Sequence, residues 1–138
     1  MQLTIRSVFV SLVVGIIVGG GPCRRAAAAD SAAISPAATK EAAQIFATRC
    51  ALCHGATGKG DGAAAAGLNP KPRNYSDTAW QSSVTDEQIE KIIVNGGAAV
   101  GKSTMMPANA DLASKPEVVK ALRATIRGFG AKKAAPAQ

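Results

Sequence analysis

The alternation of apolar and polar positions predicts helices joined by long polar connections. In TKEAAQIFATRCALCHG, Ala42, Ile45, Phe46, Arg49, Cys50 and Cys53 recur at helical spacing, with Thr39 as N-cap and Glu41 in the first turn. That spacing brings Cys50 and Cys53 to one side of the helix. A second helix runs through IEKIIVN, with Ile89, Ile92 and Ile93 inward. Thr85-Asp-Glu-Gln88 before it is a capping-box pattern, and Gly96-Gly97 is its stop. A third is predicted from VVKALRATIRGFG, where Val118, Val119, Leu122 and Ile126 form one stripe. Its start is marked by Ser114-Lys-Pro-Glu117, with Pro116 in the first turn. No segment alternates as a strand would and no repeat is visible, so the predicted class is all-α, three principal helices with long loops between them.

The connections are as informative as the helices. GATGKGDGAAAAGLNPKPRNY holds five glycines and two prolines in 21 residues, which predicts a wrapped loop with one short helical turn at 63–66. Loops of this length are uncommon in a compact domain unless they serve a function. Residues 30–38 are rich in Ala, Ser and Pro and read as a flexible lead-in, and residues 131–138 as a disordered tail. Ahead of them, Arg6 is followed by an apolar run from Val8 to Val18 and then by small residues, with Ala27 and Ala29 before Asp30. This is the order of a secretory signal peptide over residues 1–29, cleaved on export. A retained anchor is the competing reading, but the run is shorter than the roughly 20 residues a span needs. The expected domain is therefore 39–130, in a periplasmic protein.

The full chain of 138 residues carries 16 basic and 9 acidic residues, a net charge of +7. Without residues 1–29 the basic set loses Arg6, Arg24 and Arg25 and the acidic set loses none, leaving 13 against 9, or +4. No run of five or more like charges and no interleaving of basic with aromatic residues is present, so nucleic acid is not an expected partner. A mild positive bias can still steer an acidic protein partner. Alanine is abundant and large side chains are few, so a large apolar cofactor would supply the missing core surface, at about 25 cal/mol per Å² buried.

The candidate chemistry is concentrated in CALCHG, where Cys50, Cys53 and His54 stand together. A structural zinc site needs four ligands, usually in separated pairs, and no second pair follows. A thioredoxin-like dithiol needs a βαβ setting that is not visible. A disulfide between cysteines three apart closes a trivial loop with poor geometry. C-x-x-C-H is also the attachment signature of c-type haem, and this reading uses all three residues. It also asks for a second axial ligand. Besides Met1 the methionines are Met105 and Met106, in the polar stretch GKSTMMPANAD, where two core methionines would be out of keeping. Pro107 restricts Met106 to extended backbone, which favours Met106 over Met105.

With these motifs in hand, CALCHGATGKGDG, the STMMPAN loop and the last helix ending ALRATIRGFG resemble a class I c-type cytochrome of the bacterial periplasmic kind, over roughly Thr39 to Gly130. The resemblance implies a cytochrome c fold of three to five helices around one covalently bound haem c. It implies thioether bonds from Cys50 and Cys53, and His54 and Met106 as the iron ligands. It also implies a monomeric single-electron carrier, not an enzyme. With both axial positions filled there is no small-molecule substrate, and transfer is outer-sphere. Partners would be a redox protein donor and acceptor docking at the exposed haem edge, near Lys59, Lys71 and Lys102. The alternative is a haem subunit held permanently in a larger oxidoreductase. A proline carbonyl, of Pro70 or Pro72, is expected to orient His54, and Arg73 and Trp80 to reach the propionates. The family packs its first helix closely on its last. Here Ala42 replaces the usual glycine and Thr125 the usual aromatic, with Phe46, Leu122 and Phe129 available to compensate.

Overall fold

Ser35, not Thr39, starts the first helix. In the computed structural model, which describes residues 33–134, the Ser35 hydroxyl accepts from the Ala38 N–H at 3.2 Å and Pro36 takes the first helical position of α1 (Pro36–Ile45). The Thr39 hydroxyl donates instead to the Ser35 carbonyl at 3.0 Å. The flexible lead-in expected over 30–38 is thus helical from Pro36, and Ala38 is buried. The chain continues through a π-helical turn (Phe46–Cys50) into α2 (Ala51–His54). The signal segment expected over 1–29 lies outside the described residues.

Three further helices follow. Asp77 accepts from the Ala79 and Trp80 N–H groups and so caps α3 (Thr78–Ser83), a short helix the periodicity did not predict. The capping box of α4 (Asp86–Asn95) is complete, with Gln88 N–H donating to the Thr85 hydroxyl at 3.2 Å and Thr85 N–H to Gln88 Oε1 at 2.9 Å. In α5 (Pro116–Ala134), Ser114 does not cap: its hydroxyl donates to the Asp111 carbonyl. This helix also runs past the boundary expected at Gly130. Ala131 and Lys132 are good helix formers, and Lys132 suits the negative C-terminal end of the dipole. Of the disordered tail expected over 131–138, residues 135–138 lie outside the described residues. Single 3-10 turns occupy Ala63–Gly67, Ala98–Val100 and Ala110–Ser114. Among the described residues there is no strand, and no helix is long and apolar enough to cross a membrane.

The core lies where α1 packs on α5. Ala42 and Leu122 are each only 1% exposed, so an alanine serves at a crossing where its methyl fills the gap a glycine would leave. Beyond the crossing, Phe46 and Phe129 meet with ring centroids 5.3 Å apart, a tilted pair that supplies the aromatic contact Thr125 cannot. Thr125 turns its hydroxyl back to the Ala121 carbonyl. The loop after α2 closes over the same ring: Gly58 has φ +71°, and a Cβ there would come within 2.7 Å of Phe129. Its carbonyl accepts from the Tyr75 N–H at 2.7 Å, which brings the far end of the long loop back to the core.

Arg127 ties α3, α4 and α5 together. Its guanidinium donates to Asp86 Oδ1 at 2.8 Å, to the Gln81 carbonyl at 2.7 Å, to Gln81 Oε1 at 2.9 Å and to the Val84 carbonyl at 2.8 Å. Gln81 passes the link on, donating to the carbonyls of Tyr75 and Ile126. Arg127→Met keeps the stem but leaves half-buried acceptors without a donor. It should cost about 2 to 3 kcal/mol of stability, read as a lower midpoint in thermal or denaturant unfolding.

Candidate functional site

His54 closes α2 and is 8% exposed. Its Nδ1 lies 3.1 Å from the Arg73 carbonyl, which can only accept, so Nδ1 carries the proton and Nε2 the lone pair. The acceptor is therefore neither Pro70 nor Pro72. The Pro72 carbonyl is turned toward Gly60, so close that a Cβ on that glycine would strike it, and the next carbonyl along takes the ring. On the other side, the Tyr75 hydroxyl donates to Nε2 at 3.1 Å, with the two rings stacked at 4.5 Å. Burial pulls the imidazole pKa below its usual value, against a smaller opposing effect of the Arg73 carbonyl, so the neutral form is favoured. Burial likewise raises the Tyr75 phenol, with the Cys50 thiol adding to the effect, so it stays a donor. Tyr75 was not singled out in the sequence, where the only signal is a solitary aromatic at the end of a Gly/Pro-rich loop.

Cys50 ends the π-helical turn and Cys53 sits in α2; both are half-buried free thiols. The Cys50 thiol pKa is raised, chiefly by burial and also by Cys53, against the lowering effect of Arg49. A raised thiol is the reverse of what a redox dithiol requires. Among the described residues no three His, Cys, Asp or Glu side chains gather as a metal site. Both cysteines and His54 instead line one cavity of about 1150 Å³, walled by Ile45, Phe46, Ile89, Leu112, Leu122 and Ile126. That exceeds the roughly 300–1,000 Å³ of ordinary small-molecule sites. Two thiols on one wall, a neutral imidazole with Nε2 as its acceptor, and apolar faces around them fit a covalently attached haem.

Met105 and Met106 both line this cavity, but they are held differently. Met105 is 59% exposed, whereas Met106 is half-buried. The Met106 carbonyl accepts from the Gly97 N–H at 2.9 Å, and a Cβ on Gly97 would come within 3.3 Å of the Met106 Cβ. Gly96 adopts φ +76°, and a Cβ there would be 2.9 Å from the Met106 carbonyl oxygen. The Gly96-Gly97 stop of α4 thus doubles as a seat for the Met106 backbone.

Arg73 and Trp80 also line the cavity, with the guanidinium 5.8 Å from the indole centroid and 3.9 Å from Asp77. Of the three lysines singled out, Lys59 and Lys102 are exposed, but the Lys71 ammonium is engaged, donating to the Ala65 and Ala66 carbonyls at 2.9 and 2.7 Å. Arg49, Lys71, Arg73, Lys91 and Lys102 all line the cavity, and no Asp or Glu joins them.

Residues 39–126 match the protein family described as Cytochrome c. No curated protein matches the chain.

Proposed function

The chain belongs to the cytochrome c family, a haem-based electron carrier by that membership, and from this premise we propose that it shuttles single electrons between redox proteins in the periplasm. The observation that carries the reading is the neutral His54 in the cavity that both cysteines line, with Nδ1–H on the Arg73 carbonyl and Nε2 accepting from the Tyr75 hydroxyl, a bond that ligation of an iron would replace. When bound, haem supplies an iron that alternates between ferric and ferrous states. Cys50 and Cys53 would hold it covalently through their thiols. His54 and Met106 would ligate its iron. Both are uncharged, and a His/Met pair in an apolar cavity favours the ferrous state and raises the potential. The Arg73 carbonyl fixes the imidazole in one orientation and one tautomer. Arg73 and Trp80 are the donors available for the propionates.

The wild-type protein should give one reversible one-electron wave in voltammetry and leave carbon monoxide unbound when reduced. Ready carbon monoxide binding, or turnover of peroxide, would replace the carrier with a ligand-binding haem protein.

The rim of the cavity supports an acidic redox partner, since its charged side chains are all basic. Arg49 pairs with Asp111 at 2.9 Å, while among the described residues Lys91 and Lys102 form no ion pair. Exposed charges are screened beyond about 10 Å at 0.1 M salt. Electron transfer to an acidic partner is therefore expected to slow about tenfold between low and high salt in stopped-flow mixing. A flat response would remove the electrostatic docking.

A further inference from the structure

The loop that presents Met106 is fastened to α4 by a side chain outside the ligand set. A helix end leaves its last carbonyls without intrahelical donors. At the end of α4, Ile92 is served by the Gly96 N–H, but the next two are served from beyond the loop: the Asn109 side-chain Nδ2 donates to the Ile93 carbonyl at 2.9 Å, and the Asn109 N–H to the Val94 carbonyl at 3.0 Å. The Asn109 carbonyl in turn accepts from the N–H of Leu112, which is 1% exposed and anchored in the core. Residues 98–108 therefore arch between two fixed points. Gly97 holds both the Lys102 N–H and the Met106 carbonyl on one side, and Asn109, three residues past Met106, holds the other.

Resting on the axial role given to Met106 above, we propose that Asn109 is a positioning residue that sets how firmly Met106 competes for the iron. A thioether on a restrained loop acts at high effective concentration, and freeing the loop lowers that concentration without touching the sulfur. The amide fits the role because the side chain must donate to a backbone carbonyl, which a carboxylate cannot do. Asn109→Asp keeps the shape but loses the donor, and Asn109→Ala removes the group.

The test is titration of the ferric holoprotein with imidazole, followed optically. Both Asn109 variants should bind imidazole about tenfold more tightly than the wild type, the equivalent of one lost hydrogen bond with its carbonyl left unpaired. Arg127→Met, destabilised but with an intact loop, should bind it as the wild type does. Wild-type affinity in the Asn109 variants, or an equal rise in Arg127→Met, would overturn the proposal. Met106→Ala separates the two levels. If it binds imidazole no better than the wild type, the ligand assignment itself fails. If it binds far better while the Asn109 variants do not, the clamp alone fails.

Discussion

Met106→Ala is expected to open the sixth position of the iron: the reduced variant should take up carbon monoxide stoichiometrically, and its reduction potential should fall. The reasoning begins with the loop. Pro107 holds Met106 extended, and the Gly97 N–H on its carbonyl keeps its backbone against the end of α4. Alanine leaves that backbone pairing intact, so the loop keeps its path while the thioether is gone. Among the described residues no other methionine is held this way. Met105 is largely exposed, its N–H donating to the Ser103 hydroxyl at 3.2 Å. Met105→Ala should therefore keep the wild-type spectrum and stay closed to carbon monoxide. If the two variants exchange these behaviours, Met105 is the ligand. If neither takes up carbon monoxide, no methionine is.

The second large effect concerns folding. The double variant Cys50→Ala/Cys53→Ala, prepared without haem, is expected to lose cooperative unfolding and its near-ultraviolet circular dichroism while keeping much of its helix signal. Ile45, Phe46, Tyr75, Ile89, Ile93, Leu112, Leu122 and Ile126 are among the buried side chains of the core, and all of them line the cavity. The core is thus a shell built around another group. Emptying a cavity of about 1150 Å³ leaves these side chains without packing partners on one face, a loss set against the roughly 5–15 kcal/mol that keeps a domain folded. The methyl groups of two alanines replace little of the lost packing, so collapse to a loosely packed state is the expected outcome. A sharp two-state transition in the haem-free variant would show that the protein shell is self-sufficient.

What was legible in the sequence follows from how locally each feature is encoded. The capping box at Thr85 and Gln88 is decided by residues three apart, and it forms as read. The stripe of Val118, Val119, Leu122 and Ile126 is decided by one helical period, and all four are buried. Features that depend on distant backbone were not legible. The acceptor for His54 is a carbonyl, which every residue has, so only the path of the loop selects Arg73 over its proline neighbours. Arg127 reads in sequence as one more basic residue on a helix, because its partners Gln81, Val84 and Asp86 lie more than forty positions earlier. The start of α1 is obscured in the sequence for a local reason. Ser35-Pro36 carries a cap and a first-turn proline, but the apolar stripe that shows in the sequence begins only at Ala42, while the buried Ala38 lies in an Ala-rich stretch that does not stand out. Likewise α3 is a six-residue helix with no buried residue, so it has no stripe to detect, and its Asp77 cap is the one sign of it. The π-helical turn before Cys50 carries no side-chain signature; it shows only as the Ala51 N–H reaching back to the Phe46 carbonyl.

The proposed function turns on covalent attachment of haem through Cys50 and Cys53, on the wall that His54 shares. The direct measurement is to unfold the purified protein in strong denaturant, extract with acidified organic solvent, and follow the haem absorbance. The account predicts that the colour stays with the polypeptide, and that Cys50→Ala/Cys53→Ala abolishes this. Haem that passes freely into the solvent from the wild-type chain would contradict it.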